Sequence, residues 1–366
     1  MDSKVTMFGV FFTVAILGCH PSLASDDKCF IPPVIFNFGD SNSDTGGYAA
    51  AHGQYFGPPI GLVYFGDFSN RMCDVRLIID FLCERLKTPY LSPFLESLTS
   101  SFENGVNFAV SGSKTVKKEK EDELFTLSTQ VLQFRRFRTF SLKLHAAGTK
   151  GAFGDMDFKK AMYMIDIGQN DISEAFLKDH LSKAQVISNI SSFIFQIKSA
   201  INVIYNTAGG RNFWVHNTGP LGCLPSVLTN LGGEVGAEFD EIGCLKTQNE
   251  VAQEFNTKLR ELCKELRNEL KDSVIVYVDM YMIKHSLISN YRIYGFESPL
   301  MACCGGGGAP YNAKIFCGQG TVCDIGQRFI SWDGVHYTDN ANAVFAAQIA
   351  STNYSTPPLK FNYFCT

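Results

Sequence analysis

The fold is decided by PVIFNFGDSNSDTGG, residues 33–47, where an apolar run passes directly into a polar turn. The run is rich in Val, Ile and Phe, which is typical of a buried strand. The turn holds three glycines, two aspartates and two candidate nucleophiles, Ser41 and Ser43. Taken alone, the stretch fits either a polar surface turn or a nucleophile held at the end of a strand.

Apolar runs of the same kind recur along the chain and alternate with helical patterns. We interpret five of them as strands: Pro33–Phe38, Val106–Val110, Met162–Ile167, Phe213–His216 and Val274–Val278. Three segments carry apolar residues at steps of three and four and are predicted to be helices: Leu77–Leu86, Lys183–Tyr205 and Asn249–Leu270. Strands that alternate with helices favour parallel βαβ units, so we predict an α/β fold with a doubly wound sheet.

The bulk composition is that of a globular protein and excludes some functions. The chain has 366 residues, of which 45% are hydrophobic and 19% charged, and its net charge is −4. The sequence contains no basic stripe with interleaved aromatic residues, so nucleic acid is not expected as a partner. It contains no internal repeat or linker, and we predict a single domain over residues 26–366.

The segment 1–25 has the layout of a secretory signal. Lys4 precedes the apolar run Met7–Cys19, and the small residues Ala24 and Ser25 follow it. A retained membrane anchor is the alternative, but the run is shorter than the ~20 apolar residues that span a bilayer. We therefore predict cleavage of this segment, export to the extracellular space, the cell wall or the vacuole, and no stable membrane insertion.

The 12 cysteines fit an exported protein, in which disulfides form. One of them, Cys19, lies in the predicted signal, so an odd number remains and at least one thiol is unpaired or pairs between chains. Four others cluster in a Gly-rich stretch: Cys303, Cys304, Cys317 and Cys323. We predict local disulfides there, because the adjacent pair lacks the ligand spacing of a zinc site. Sequons at Asn189 and Asn353 predict glycosylation.

Polar and glycine residues follow the ends of four predicted strands. In doubly wound sheets the ligand site lies beyond the carboxyl ends of the strands. Ser41, Gly112 and Asn170 each come shortly after a strand, and NTGPLGCLP, residues 217–225, follows the fourth. These residues are therefore predicted to meet at one edge of the sheet.

A serine nucleophile needs a general base, and His336 is the best candidate. It lies in WDGVHYTDNAN, residues 332–342, with Asp333 three positions before it. This spacing can place the carboxylate against the imidazole nitrogen that faces away from the nucleophile. A surface turn is the alternative reading of such a string. His216 ends an apolar strand and is interpreted as a satisfied core residue.

Two strand-end residues could stabilise an oxyanion. The side-chain amide of Asn170 can donate to the developing charge, and Gly112 lets a backbone N–H approach it closely. Each has a plain alternative, as an Asx-turn residue and as a turn glycine. The position of both at strand ends, together with Ser41 and His336, favours a hydrolytic site.

Five ordered blocks resemble those of the plant GDSL esterase/lipases, a branch of the SGNH hydrolases: FNFGDSNSDTGG, GVNFAVSGS, GQND, NTGPLGCLP and DGVHYT. The resemblance spans the chain beyond the predicted signal. It implies a flavodoxin-like three-layer αβα fold with a five-stranded parallel sheet. It also implies a serine esterase without a metal or organic cofactor. By position, Ser41 is the nucleophile and a backbone oxyanion donor, Gly112 and Asn170 are the other donors, His336 is the base and Asp333 its orienting acid.

The chain departs from that pattern at several positions. Asn42 stands where the family usually has Leu, and Gly105 is a second candidate for the glycine of the second block. The segment Gly66–Phe81 holds extra residues around Arg71–Cys73, and we expect it near the mouth of the site, where it could shift substrate preference. Lys114 is unusual beside an oxyanion glycine: it either favours an anionic group or faces solvent.

We predict a secreted carboxylic-ester hydrolase whose partner is a small-molecule ester. Acyl esters, acetylated glycosides, phenolic esters and lipids all fit. An acyltransferase that uses the same acyl-enzyme is an alternative. A catalytically silent defence or carbohydrate-binding protein on the same fold is another. Asp40 and Asp44 are interpreted as hydrogen-bonding residues of the nucleophile turn.

Overall fold

The computed structural model of the chain describes residues 29–60, 69–98, 100–117, 125–324 and 326–365. The predicted signal, residues 1–25, lies outside the described residues, as do the first residues of the Gly66–Phe81 segment. Among the described residues, no helix combines the length and hydropathy that crossing a bilayer requires.

The strands in the described part of the chain are β1 (Ile35–Gly39), β2 (Gly105–Asn107), β3 (Met162–Asp166), β4 (Asn212–His216), β5 (Val274–Val278), β6 (Ser298–Ala302), β7 (Cys304–Gly305), β8 (Thr321–Val322), β9 (Phe329–Ser331) and β10 (Ser355–Thr356). The main sheet has the order β10-β5-β4-β3-β1-β2. Its five parallel strands have the order β5-β4-β3-β1-β2, which is the flavodoxin-like order and confirms the predicted fold class. The prediction of five strands was incomplete, because the two-residue β10 pairs antiparallel with β5.

The helices are α1 (Gly47–His52), α2 (Ile78–Leu86), α3 (Leu127–Ala146), α4 (Asp155–Lys160), α5 (Gln169–Leu177), α6 (Lys183–Ala208), α7 (Pro225–Leu231), α8 (Lys246–Glu269), α9 (Met280–Ser289) and α10 (Asp339–Ser351). Helices α3, α6 and α8 pack side by side in one layer, and α2, α10 and α9 form the other. The sheet lies between them, as the predicted three-layer arrangement requires.

The second predicted strand is displaced at both ends. Strand β2 begins at Gly105 and ends at Asn107. The chain nevertheless stays beside β1, because the N–H groups of Phe108 and Val110 donate to carbonyls of that strand at 2.8 and 3.3 Å. The backbone therefore leaves regular pairing just before it reaches the turn at residues 111–113.

The core fixes strand β1 more firmly than its short length suggests. All five of its residues are buried. The ring of Phe36 lies 5.2 Å from that of Phe134 and 5.3 Å from that of Phe158, and Phe38 stacks on Phe108 at 5.3 Å. Aromatic pairs at these separations add to the free energy that burial provides. The residue that follows this strand is thus held on a rigid support.

Four disulfides join described cysteines: Cys29–Cys365, Cys223–Cys244, Cys303–Cys323 and Cys304–Cys317. The last two confirm the predicted local disulfides of the Gly-rich stretch. Cys73, Cys83 and Cys263 are free and buried. The odd number predicted outside the signal is accounted for by these thiols.

Candidate active site

The turn that carries the predicted nucleophile starts where β1 ends. The N–H of Ser43 donates to the carbonyl of Asp40 at 3.2 Å, and the N–H of Asn42 donates to the Asp40 side chain at 2.9 Å, so the turn closes on itself. Ser41 stands between them and is only 4% exposed. Neither its hydroxyl nor its N–H is hydrogen-bonded to a described residue. Both groups are therefore available to a substrate.

The neighbouring polar residues of the turn are occupied. The hydroxyl of Ser43 accepts a hydrogen bond from the amide of Asn37 at 3.0 Å. Asp44 accepts from the N–H groups of Gly46 and Gly47 and from the hydroxyl of Ser111, at 2.8, 2.5 and 2.8 Å. These bonds hold the start of α1 and the second turn, which leaves Ser41 as the serine of this turn without a structural partner.

The two glycines considered for the second block differ in surroundings. Gly112 has a φ of +84° and is exposed, and a Cβ there would meet nothing within 4 Å. Its N–H makes no hydrogen bond to a described residue. Gly105 starts β2 at the opposite end of the strand, where a Cβ would lie 1.8 Å from the carbonyl oxygen of Ile35. Gly105 thus serves the close approach of two strands, and Gly112 faces open space.

The third block opens helix α5. The amide of Asn170, in the first turn, donates to the carbonyl of Ser113 at 3.0 Å and keeps its second hydrogen for another acceptor. Asp171 accepts from the N–H and the hydroxyl of Thr115 at 3.0 and 2.7 Å. Burial raises the pKa of Asp171 to about 6. These bonds tie the loop of Gly112 to the positive end of a helix, where negative charge is stabilised.

Asp333 and His336 form a pair within one tight turn. Nδ1 of His336 lies 2.6 Å from a carboxylate oxygen of Asp333. The other oxygen accepts from the N–H groups of His336 and Val335 at 2.8 and 2.9 Å. Nε2 of His336 is buried and has no hydrogen-bond partner among the described residues. The imidazole is oriented from one side and free on the other.

The charges of this pair support each other. Burial by itself would lower the pKa of His336, but the charge of Asp333 and the bond to it more than compensate, so the pKa of His336 is raised. Burial would likewise raise the pKa of Asp333, yet the imidazole holds it below its usual range. Asp333 thus stabilises an imidazolium, as the orienting acid of a triad does.

The turn of Asp333 and His336, called the acid–base turn below, is hydrogen-bonded to the Gly-rich loop that holds two disulfides. Strand β9, which leads into the turn, pairs with β6 in a separate two-stranded sheet. The N–H of Cys304 donates to the carbonyl of Trp332 at 2.6 Å, and that of Cys303 donates to Ser331 at 3.0 Å. The N–H of Trp332 closes the turn on the carbonyl of His336 at 2.8 Å. Both disulfide-bonded cysteines therefore donate to the backbone just before Asp333.

Sequence reasoning missed the residue that joins the first two turns. The side chain of Gln130 on α3 accepts from the N–H of Gly39 at 2.9 Å and donates to the carbonyl of Gly39 at 2.8 Å. It also donates to the hydroxyl of Ser113 at 3.0 Å. It is fully buried. A single glutamine in a helix that the sequence pattern did not mark gives no signal by itself, because its partners are far away along the chain.

Two interpretations made from sequence need correction. Lys114 is 1% exposed and its ammonium pairs with Glu174 at 2.5 Å, so it neither faces solvent nor offers a free charge to an anionic group. His216 is buried, but it is only partly satisfied. Its Nδ1 lies 3.4 Å from a carboxylate oxygen of Asp166, and its Nε2 has no partner among the described residues.

The described part of the altered segment is anchored to α2 and α10. Arg71 makes two 2.8 Å bonds to the carboxylate of Asp80, and both side chains are buried. Arg76 pairs with Asp339 at 2.9 Å in the first turn of α10. Asp74 accepts from the N–H of Asp339 at 2.7 Å. The extra residues thus pack beside the helix that follows His336, and their influence on substrate preference stays a prediction.

Both asparagines of the predicted glycosylation sites lie at the surface. Asn189 is exposed on α6, and Asn353 is exposed in the turn before β10. Within the described ranges, no group of three or more His, Cys, Asp or Glu side chains is arranged to hold a metal ion.

A family model and several curated proteins match this chain over most of its length. The model of the family "GDSL-like Lipase/Acylhydrolase" matches residues 35–349. GDSL esterase/lipase At1g09390 of Arabidopsis thaliana is 49% identical over 96% of this chain and 95% of its own length. GDSL esterase/lipase LIP-4 of the same plant is 49% identical, over 94% of this chain and 92% of its own length. An esterase of Hevea brasiliensis is 41% identical, over 100% and 97%.

Proposed function

The chain belongs to the GDSL-like lipase/acylhydrolase family and is a carboxylic-ester hydrolase, and on that premise we propose that it acts through an acyl-enzyme on Ser41. One observation carries this assignment. His336 is oriented by Asp333 at 2.6 Å and keeps a buried, unpartnered Nε2. Ser41 is the turn serine whose hydroxyl has no partner among the described residues. The free Nε2 of His336 can accept a proton, and the free hydroxyl of Ser41 can donate one, so the two groups suit the roles of base and nucleophile.

The reaction then follows the steps of a serine hydrolase. Nε2 of His336 takes the proton of Ser41 as its oxygen attacks the ester carbonyl. Asp333 stabilises the imidazolium that forms. His336 returns the proton to the departing alcohol, which leaves an acyl group on Ser41. Water, activated by the same imidazole, hydrolyses the acyl-enzyme.

Three donors are available to the oxyanion. The N–H groups of Ser41 and Gly112 make no hydrogen bond to a described residue, and Asn170 keeps one amide hydrogen. Because these donors are fixed by turns and a helix start, they need no reorganisation when charge develops. Preorganised donors of this kind are usually the largest single contribution to catalysis of acyl transfer.

The substrate is proposed to be a small-molecule ester, and the enzyme to be exported after cleavage of residues 1–25. Lys114 is paired with Glu174, so a preference for anionic acyl groups does not form part of the proposal. Hydrolysis is preferred to acyl transfer because the curated relatives are named esterase/lipases.

Labelling with a fluorophosphonate probe and turnover of a p-nitrophenyl ester test the assignment. Ser41→Ala is expected to lose both. Ser43→Ala is the matched control and is expected to keep labelling, since that hydroxyl only holds Asn37. Retained turnover in folded Ser41→Ala would refute the assignment of the nucleophile. A wild-type protein that is folded yet never labels would favour the catalytically silent alternative, and ester products formed with an added alcohol would favour acyl transfer.

A further inference from the structure

A buried lysine lies beside the acid–base turn, where the proposed reaction gives it no role. Lys284 on α9 is 3% exposed. Its ammonium lies 4.5 Å from the centre of the Tyr337 ring, directly after His336. No carboxylate of a described residue comes within ion-pair distance of it. Buried lysines are rare without a paired charge, so this one requires an explanation.

The fourth sequence block builds the place that Lys284 occupies. Asn217 donates to Asp279 at 2.9 Å and accepts from the N–H of Tyr281 at 2.9 Å, which fixes the start of α9. Gly219 leaves the space for the lysine stem, because a Cβ there would lie 2.7 Å from Cδ of Lys284. The block NTGPLGCLP contributes no group to the proposed reaction, and its contacts instead position this ammonium.

Two carboxylates lie at neighbouring strand ends, since Gly39, the residue before Asp40, pairs with Asp166. The charges of Asp166, at the end of β3, and Asp40, just after β1, both act on Lys284 and oppose the effect of burial on its pKa. One oxygen of Asp40 is buried without a partner among the described residues. Burial and the charge of Asp166 raise the pKa of Asp40 to about 7, and Lys284 opposes this rise.

The same two groups act on the proposed base in opposite directions. After burial and Asp333, the charge of Asp40 raises the pKa of His336, and the charge of Lys284 lowers it. Two further titratable groups contact this cluster: His216, whose Nδ1 lies 3.4 Å from Asp166, and Tyr337. The base is thus placed among a carboxylate pair and one cation.

We propose that Lys284 is a positioning residue whose buried ammonium balances Asp40 and Asp166 and so sets the pH range in which His336 acts as a base. The inference rests on the proposed function, since it gives His336 the role of base. It assigns a role to the fourth block, which holds the lysine close to the turn. It also explains why a cation without an ion-pair partner among the described residues is buried beside the acid–base turn.

Replacing Lys284 by Met keeps the length of the side chain and removes the charge. In Lys284→Met, the acid limb of kcat/KM is expected to move to higher pH by about 1 unit, the order of magnitude of the effect of one unit charge at roughly 10 Å in a protein. Lys284→Arg keeps the charge and is expected to leave the limb in place. A purely structural role would lower activity without moving the limb.

Asp40→Asn provides a second variant with the opposite sign. Loss of that carboxylate is expected to move the limb to lower pH, which also serves if Lys284→Met does not fold. The pKa of His336 should be followed by NMR titration of its ring, assigned with His336→Gln. That readout does not depend on turnover, so failure of the proposed function shows as absent labelling of Ser41, and failure of this inference shows as an unchanged titration. An unchanged His336 titration in the folded variants would overturn the proposal.

Discussion

The two turns that carry the proposed triad are supported in different ways. The turn of Ser41 ends β1, which lies between β2 and β3 in the main sheet and is packed by aromatic rings. The turn of Asp333 and His336 lies outside that sheet, after a short strand that pairs with β6 in a two-stranded sheet. It is fastened by backbone bonds to a loop that holds two disulfides.

Because of this difference, we expect the two turns to differ in how easily each is displaced without unfolding of the whole domain. Strand β1 cannot move unless the core opens, so the nucleophile turn should persist until the whole domain unfolds. The acid–base turn is anchored on one side by Trp332, which packs in a small second apolar cluster with the cysteines of the two local disulfides. We therefore expect perturbations that misplace the base while the nucleophile stays in position, and each prediction below applies that contrast.

The largest effect is expected for Asp333→Asn. An amide in place of the carboxylate can favour the wrong tautomer of His336, and the same replacement in a serine-protease triad lowers kcat by ~10⁴-fold. Steady-state turnover of a p-nitrophenyl ester measures it. Asp324→Asn, an exposed carboxylate in the loop before β9, is the control and should behave as wild type. A loss below tenfold in Asp333→Asn would rule out its role as the orienting acid.

A smaller loss is expected at the sheet edge. Asn170→Ala removes a proposed oxyanion donor and should lower kcat by ~10²–10³-fold with little change in KM. Asn170→Asp keeps the shape but places an acceptor against the oxyanion, so its kcat should fall further than that of the Ala variant. Equal kcat values for the wild type and the Ala variant would exclude this donor.

The disulfides distinguish the two turns. Removing Cys303–Cys323 by a double Ser substitution should lower kcat by roughly 10–10²-fold, because small displacements of a base are costly. Removing Cys29–Cys365, which joins the ends of the described chain, should instead lower the free energy of unfolding by about 2–5 kcal/mol and leave kcat nearly unchanged. Kinetics and urea denaturation of both variants measure this contrast. The comparison fails if the terminal variant loses more kcat than the loop variant.

The smallest effect concerns pH. The pKa of His336 is raised, so its contribution to stability is complete below its unfolded pKa of about 6.5 and is lost as pH rises through the folded value. The pKa of Asp333 is lowered, so its contribution holds above about 4 and is lost as pH falls through its folded value. The pair should therefore stabilise the turn most between these limits, whereas activity requires neutral His336 and should be greater at higher pH.

Urea denaturation at pH 5.5 and 8.5 checks this expectation. The difference in unfolding free energy between wild type and His336→Gln should be larger at the lower pH. His285→Gln, which alters a helical histidine outside the site, should show no such dependence. A larger difference at pH 8.5 would contradict the direction of the His336 shift.

Most of the strands, helices and site residues were predicted from local sequence patterns. The apolar run before Ser41 and the three-residue spacing of Asp333 and His336 are short-range features, so the sequence displays them directly. The strand at Val274–Val278 is confirmed with its predicted bounds, and the two long helical patterns are confirmed with ends moved by a few residues. Strand β10 was missed because two residues carry no periodicity.

The sequence by itself determined the α/β class, the order of the strands through family resemblance, and the candidate nucleophile, base and orienting acid. Tertiary structure alone decided the partners of Lys114, the burial of Lys284 and the bonds of Gln130, which lies 91 positions from Gly39. The physical reason is range. A turn or a helix face is encoded by neighbours in the chain, whereas a buried charge is satisfied by groups that only folding brings together.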